Sequence, residues 1–202
     1  MMQILYAFDF DGTLTTTDTL LAFIRHVHGT RRLLWGFLLH APLLVLMKLH
    51  LYPNWQAKQR IFAYFFKGMS EKEFDTHCQQ FALTHRHLLR HEGVQQIEAA
   101  IQEGSDVAIV SASINRWVQP FFPDTRIIGT EIEIKEGMVT GQFLTPNCYG
   151  IEKVKRLRKV FPDLARRHVI AYGDSKGDRE LLAIAAEAHY KPFRSTSSSH
   201  SA

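Results

Sequence analysis

The chain has 202 residues, 24 Lys and Arg against 20 Asp and Glu, and a formal net charge of +4. That mild basic excess suits an anionic substrate or an anionic membrane surface, and the lack of a long basic run with interleaved aromatics argues against nucleic acid as a partner. With 46% hydrophobic residues the chain can bury a sizeable core, and its length suggests one domain, or one core with a modest insertion. Two cysteines, Cys78 and Cys148, stand far apart with no CxxC pair, so neither a zinc site nor a redox motif is expected. No basic stretch followed by an apolar run and a small-residue cleavage site opens the chain. A cytoplasmic protein is the simplest expectation.

Residues 3–10 (QILYAFDF) form a short apolar run ending in acidic residues and glycine, the pattern of a buried parallel strand. Residues 18–91 contain no convincing strand and read as an inserted helical module. Within it Tyr52-Pro53-Asn54 breaks two helices, and Ser70-Glu71-Lys72-Glu73 has the capping-box pattern that starts another. Strands and helices then alternate: a helix over 93–103 stopped by Gly104, a strand over 106–110, a helix over 114–122 and a short strand over 126–129. A hairpin is expected over 131–134 and 138–143 about Glu136-Gly137. A helix over 150–161, a strand over 168–172, a helix over 177–186 and a last strand over 188–190 follow, and 194–202 (RSTSSSHSA) reads as disordered tail. The expected fold is α/β: a doubly wound, Rossmann-like parallel sheet from 1–16 and 92–193, with an all-helical cap from 17–91.

Residues 33–51 (LLWGFLLHAPLLVLMKLHL) are nearly long enough to span a bilayer, which takes about 20 apolar residues. His40, Pro42 and Lys48 interrupt them and Arg31-Arg32 precede them. The plainer reading is a buried helical hairpin. A second is a surface that dips into one leaflet with its basic residues at the headgroups. A full span is disfavoured, because both ends of the insertion must return to one core.

In parallel α/β sheets ligands bind beyond the carboxyl ends of the strands. Asp9 and Asp11 end the first strand and, two apart, can face one site. Ser111 follows the second long strand, Asp174 follows the strand at 168–172, and Asp178 comes four residues later. Lys153 lies in the first turn of the helix beginning near Gly150. Cleaving a phosphomonoester at a carboxylate gives an aspartyl-phosphate. Each pair of unit charges of like sign repels by about 4 kcal/mol at 4 Å and an effective dielectric near 20. A hard divalent cation such as Mg2+ relieves that repulsion, and Lys153 adds positive charge at the phosphoryl oxygens. Asp11 can protonate the leaving alkoxide and then activate water. The phosphate-contacting set is taken as Gly12, Thr13, Ser111, Ala112 and Lys153, with Gly12 permitting close backbone approach.

Four motifs together resemble the phosphatases of the haloacid dehalogenase superfamily: Asp9-Phe10-Asp11-Gly12-Thr13 as DxDGT, Ser111, Lys153, and Gly173-Asp174-Ser175-Lys176-Gly177-Asp178 as GDxxxD. The resemblance implies Asp9 as nucleophile, Asp11 as acid and base, and Mg2+ held by Asp9, the Asp11 backbone carbonyl and Asp174, with Asp178 in support. A helical cap between the first two motifs resembles the subfamily that includes phosphoserine phosphatase. There an acidic residue reads the substrate amine, a position that falls on Asp18. The apolar cap segment is similar to that of subfamily members acting on phosphatidylglycerophosphate, which implies a lipid-linked phosphate. The alternatives are a small phosphoserine-like metabolite, a receiver-type phosphate acceptor, and a membrane-associated binding module without turnover. Eleven histidines, His85, His87 and His91 among them, lack an HExxH pattern and read as surface or boundary residues. Trp35, Phe37, Phe62, Phe65 and Phe66 read as core, and Arg60 and Lys176 as solvated.

Overall fold

The computed structural model describes residues 3–194. The chain enters through β1 (Ile4–Phe8) and leaves it for α1 (Thr19–Leu39), α2 (Ala41–Lys48), α3 (Asn54–Phe66) and α4 (Glu71–Thr84). It returns by α5 (His91–Gln102) to β2 (Asp106–Ile114), α6 (Asn115–Val118) and β3 (Arg126–Thr130). Next come a hairpin of β4 (Ile132–Lys135) and β5 (Met138–Phe143), α7 (Ile151–Val160), β6 (His168–Gly173), α8 (Arg179–Ala183) and β7 (Glu187–Tyr190). Five strands pair in parallel in the order β3-β2-β1-β6-β7, so β1 is central.

Alternation along the central strands sends side chains to two faces, and both faces are covered. Leu5, Ala7, Ala108, Val110 and Ala171 pack under Leu157 and Leu181 of α7 and α8. Tyr6, Phe8, Ile109 and Tyr172 face the other way, into a cluster that continues through Ile97 and Trp117 into the inserted helices. There Phe23, Phe62, Phe66, Phe74 and Phe81 are all buried. Trp117, from α6 of the core, is fully buried against Phe23, ring centres 5.0 Å apart, and ties the two layers together. Next to it Arg116 reaches Asp75 at 2.7 Å and Glu71 at 2.5 Å on α4.

The insertion is closed at its base by a contact not foreseen in the sequence. Thr15 and Leu89 form an antiparallel bridge, with Thr16 N–H donating to the Leu88 carbonyl at 2.9 Å and Arg90 N–H to that of Leu14 at 2.8 Å. The hairpin also joins the inserted helices. Phe143 N–H donates to the Gln59 side chain at 2.9 Å, and Gly68 N–H to the Val139 carbonyl at 2.8 Å. A Cβ on Gly141, whose φ is +84°, would stand 2.9 Å from the Ala63 Cα, so only glycine allows this approach. The cap is therefore helical as an insertion but gains two strands from the core.

Several expectations needed correction. Residues 33–51 are not a buried hairpin: Leu34, Trp35, Leu38 and Leu39 are exposed, and α2 buries no residue. Trp35, expected in the core, is 69% exposed. No helix among the described residues is long and apolar enough to cross a membrane. The helix expected over 114–122 is a single turn, α6, followed by a 3-10 turn, because the Gln119 amide folds back onto the Phe122, Pro123 and Thr125 carbonyls. The helix expected over 177–186 shortens to α8 after a 3-10 turn over Lys176–Asp178. Arg194, assigned to the tail, instead bonds Asp174 at 3.0 Å; the rest of that stretch, 195–202, lies outside the described residues. Half of the capping pattern forms: Ser70 accepts from Glu73 N–H and α4 starts at Glu71.

Three half-buried histidines lie among the inserted helices. Burial, then His85 and His77, lower the pKa of His26; burial and Arg32 lower that of His28; burial lowers that of His85, with His87 and Arg25 adding to it. The unfolded chain therefore binds protons at higher pH than the folded one does. Stability is retained above the ordinary imidazole value, near 6.5, and falls as pH drops through it. Thermal midpoints recorded from pH 8 to pH 5 should decline below about 6.5, and His26→Gln should flatten that decline. A flat profile in the parent chain would contradict this account.

Candidate active site

The site is built where β1 ends. Asp9 keeps the strand register, its N–H donating to the Tyr172 carbonyl at 2.9 Å, and the residue is 5% exposed. A tight turn over Phe10–Leu14 then reverses the chain, with Gly12 at φ +83°. A Cβ on Gly12 would stand 2.5 Å from Asp174 Oδ2, so the glycine opens room for a carboxylate of β6's loop. Thr13 is buried and its Oγ1 donates to Asp9 Oδ2 at 3.2 Å. Its side chain thus holds Asp9.

Lys153, from the first turn of α7, is 2% exposed and reaches Asp9 Oδ1 at 2.5 Å and Asp178 Oδ1 at 2.6 Å. One ammonium shared by two buried carboxylates cannot hold both equally. Asp178 Oδ2 also accepts from Asp174 N–H at 3.1 Å, Ser175 N–H at 3.0 Å and Ser175 Oγ at 2.8 Å. Burial works against its charge, but Lys153 and the Ser175 donors outweigh it and hold its pKa below the usual range. Asp9 has only Thr13 besides Lys153. Burial pushes it up to about 7 despite Lys153, and the Asp178 charge adds to the rise. Burial also opposes the charge on Lys153, and the two carboxylates reverse this and raise its pKa.

Asp11 points to the cap. Its Oδ1 accepts from Thr19 N–H at 2.8 Å and Thr19 Oγ1 at 2.6 Å, and its Oδ2 from Ser113 Oγ. Burial raises its pKa and the Asp18 charge adds to this, while Lys58, Ser113 and Thr19 act the other way. Ser111 sits inside β2, which extends to Ile114, and not after it; its Oγ accepts from Ser113 N–H at 3.0 Å. Asp174 is half-buried; burial and Asp178 raise its pKa, and Arg194 opposes them.

Carboxylate oxygens of Asp9, Asp174 and Asp178 lie within 4.8 Å of one another. Three hard oxygen donors so close fit a divalent cation of the magnesium type. Asp11 lies outside this set by its side chain.

A cavity of about 360 Å³ opens over these groups, with Asp9, Asp11, Ser111, Ala112, Lys153 and Asp178 in its wall. The inserted helices roof it with Leu20, Leu21, Phe37, Leu44, Met47 and Ile61. Asp18 reaches the rim, but its Oδ1 caps α1 by accepting Leu20 N–H at 2.9 Å. Thr13 adjoins the wall through Asp9 and Asp174 through Asp178, and Gly12 lies against Asp174.

Sequence reading missed Lys58, whose Nζ donates to the Ala112 carbonyl at 3.0 Å inside this cavity. Helical spacing could have found it: Lys58 shares a face with Ile61, Phe62 and Phe65, whereas Arg60 points out and stacks over Tyr52. Ser113 was likewise readable, two residues from Ser111 on one strand face. Lys176 is exposed, as expected.

Residues 6–183 match the haloacid dehalogenase-like hydrolases, and the chain belongs to that family. It is 36% identical to Protein CicA of Caulobacter vibrioides, over 95% of this chain and 87% of that protein. Among solved structures it resembles a protein of unknown function from Bordetella pertussis Tohama I, at TM-score 0.77 and 19% identity over 91% of this chain and 87% of that one. It also resembles an apo phosphoserine phosphatase, at TM-score 0.57 and 17% identity over 91% and 83%. At such identities these two structures share the fold.

Removing the shared ammonium leaves two buried carboxylates without a countercharge. Lys153→Met should cost about 3–5 kcal/mol of stability, read from urea denaturation. Adding Asp178→Asn should recover part of that loss. A double variant with fully additive losses would show that Lys153 and Asp178 are not coupled.

Proposed function

We propose that the chain is a magnesium-dependent phosphomonoester hydrolase working through a phosphoaspartate on Asp9. The observation that carries this reading is the Lys153 ammonium bridging Asp9 and Asp178, with Asp11 half-buried nearby on its own donors. Lys153 fixes Asp9 Oδ1, leaving Oδ2, touched only by Thr13, to attack phosphorus. As the P–O bond to the leaving group breaks, Asp11 gives its proton to the departing alkoxide; burial, which favours the protonated form, suits it to this. Asp11, now a carboxylate, takes a proton from water as that water attacks the phosphoaspartate. Inorganic phosphate leaves and Asp9 is regenerated. Asp9, the Asp11 backbone carbonyl and Asp174 would hold Mg2+, with Asp178 positioning Lys153 and the loop. The cation would neutralise charge between nucleophile and phosphate. Ser111, Ala112 and the backbone at Gly12 and Thr13 would hold phosphoryl oxygens. Residues 1–16 and 92–193 act as the catalytic core, and 17–91, joined by the hairpin, as the cap.

The substrate of this reading is a lipid-linked phosphate, met by a cytoplasmic enzyme at a membrane surface. Its support is the apolar roof, with Phe37, Leu44 and Met47 facing the carboxylates across the cavity. Lys58 would meet a further anionic or carbonyl group of the headgroup. A phosphoserine-like metabolite needs Asp18 to read an amine, and Asp18 is already engaged in capping α1.

Turnover of an aryl phosphate tests the chemistry and separates it from phosphate storage or binding alone. Asp9→Asn should reduce it to background and Asp11→Asn should lower it about 10²–10⁴-fold. A chelator should abolish it and added Mg2+ restore it. Parent-level turnover in Asp9→Asn or in excess chelator would sink the reading.

A further inference from the structure

Gly29, at φ +76°, kinks α1, and beyond it the helix is apolar on both sides. On one side Gly36 is buried against Phe65, and Phe37 lines the cavity. On the other, Leu34, Trp35, Leu38 and Leu39 leave between 64 and 69% of their surface exposed. α2 repeats the arrangement: Leu44 and Met47 line the cavity, while Val45, Leu46 and the following Leu49 face out. A helix apolar all round belongs in an apolar surround, and a patch this continuous marks a contact surface.

Charge identifies what covers it. Residues 19–70 hold seven Lys and Arg and no Asp or Glu, while the rest of the chain holds 17 basic and 20 acidic residues. Arg31, Arg32 and Lys48 are exposed at the two ends of the patch. In a symmetric pair of chains joined through this patch these cations would face one another; against anionic headgroups each is attracted. Trp35 and Trp55, both exposed, are of the type that settles at a membrane interface. No described helix can cross the bilayer.

We propose that the α1–α2 arm is a membrane-docking surface. It lies along an anionic bilayer with Trp35, Leu38, Leu39, Leu46 and Leu49 at the acyl boundary. One helix diameter, roughly 10 Å, then separates the bilayer from the catalytic cavity. Where it names the source of the substrate, this inference rests on the amphiphilic-phosphate reading of that cavity; the docking itself does not.

Co-sedimentation with vesicles tests it. The parent chain should bind vesicles of equimolar phosphatidylcholine and phosphatidylglycerol at least about tenfold more tightly than phosphatidylcholine alone, and less tightly in high salt. L38E/L39E should lose at least about tenfold in binding and keep aryl-phosphate turnover. R31Q/R32Q, which replaces only exposed polar side chains and so keeps a binding test should the first variant not fold, should lose the preference for the anionic vesicles. A parent chain that stays in the supernatant, variants that sediment like it, or a patch closed in a dimer seen by light scattering would each overturn the proposal. Binding without phosphatase activity would refute the hydrolase reading and leave the docking surface standing. Activity without binding would do the reverse.

Discussion

A lysine ammonium with 2% exposure survives only where negative charge surrounds it. Lys153 has two carboxylates within 2.6 Å, and each belongs to a different strand end. The contact therefore fixes three things at once: the tip of β1, the first turn of α7 and the loop leading into α8. A buried pair is weak evidence for stability, because desolvation consumes most of the attraction. What it supplies is position. The Asp178 side chain is saturated with donors, so the lysine's second contact falls on the less satisfied carboxylate, Asp9. The asymmetry leaves Asp9 with one oxygen held by the ammonium and the other by the Thr13 hydroxyl alone, which suits the attack proposed for it.

The central strands were readable because burial on both faces leaves near-continuous apolar runs at residues 4–8, 107–110 and 169–172. The polar residues that follow those runs, Asp9, Ser111 and Asp174, were readable because a parallel sheet collects its chemistry at its carboxyl edge. Harder to read were contacts that depend on chain reversal. The Thr15–Leu89 bridge joins residues far apart by one pair of extended positions, too short to leave a periodic signal. The packing of the hairpin on α3 rests on Gly141 and Ala63, small residues that carry no pattern of their own.

The segment at 33–51 shows why an apolar stretch alone does not decide burial. Its composition fits a core helix and an interfacial helix equally well. What separates them is the supply of partners. Phe62, Phe65, Phe66, Phe74 and Phe81 already fill the space between α3, α4 and the core, leaving no second layer to cover the outside of α1 and α2. Aromatic bulk elsewhere in the insertion thus pushed this arm outward, a consequence of volume that no window along the sequence contains.

The arm and Asp11, the proposed acid and base, are linked through the start of α1. Thr19, the first residue of that helix, gives two donors to Asp11 and accepts from Trp117 Nε1 at 3.2 Å. Lys58, from α3, bonds the Ala112 carbonyl in the same wall. Both contacts come from the inserted helices and both favour the Asp11 carboxylate, while burial favours its acid form. The balance that would suit Asp11 to its proposed giving and retrieving of a proton thus depends on the inserted helices being seated on the core. A cap that rocked about the Thr15–Leu89 base would change the roof over the cavity and the proton affinity beneath it together. In the proposed reaction such a movement would couple admission of a substrate to readiness for its cleavage.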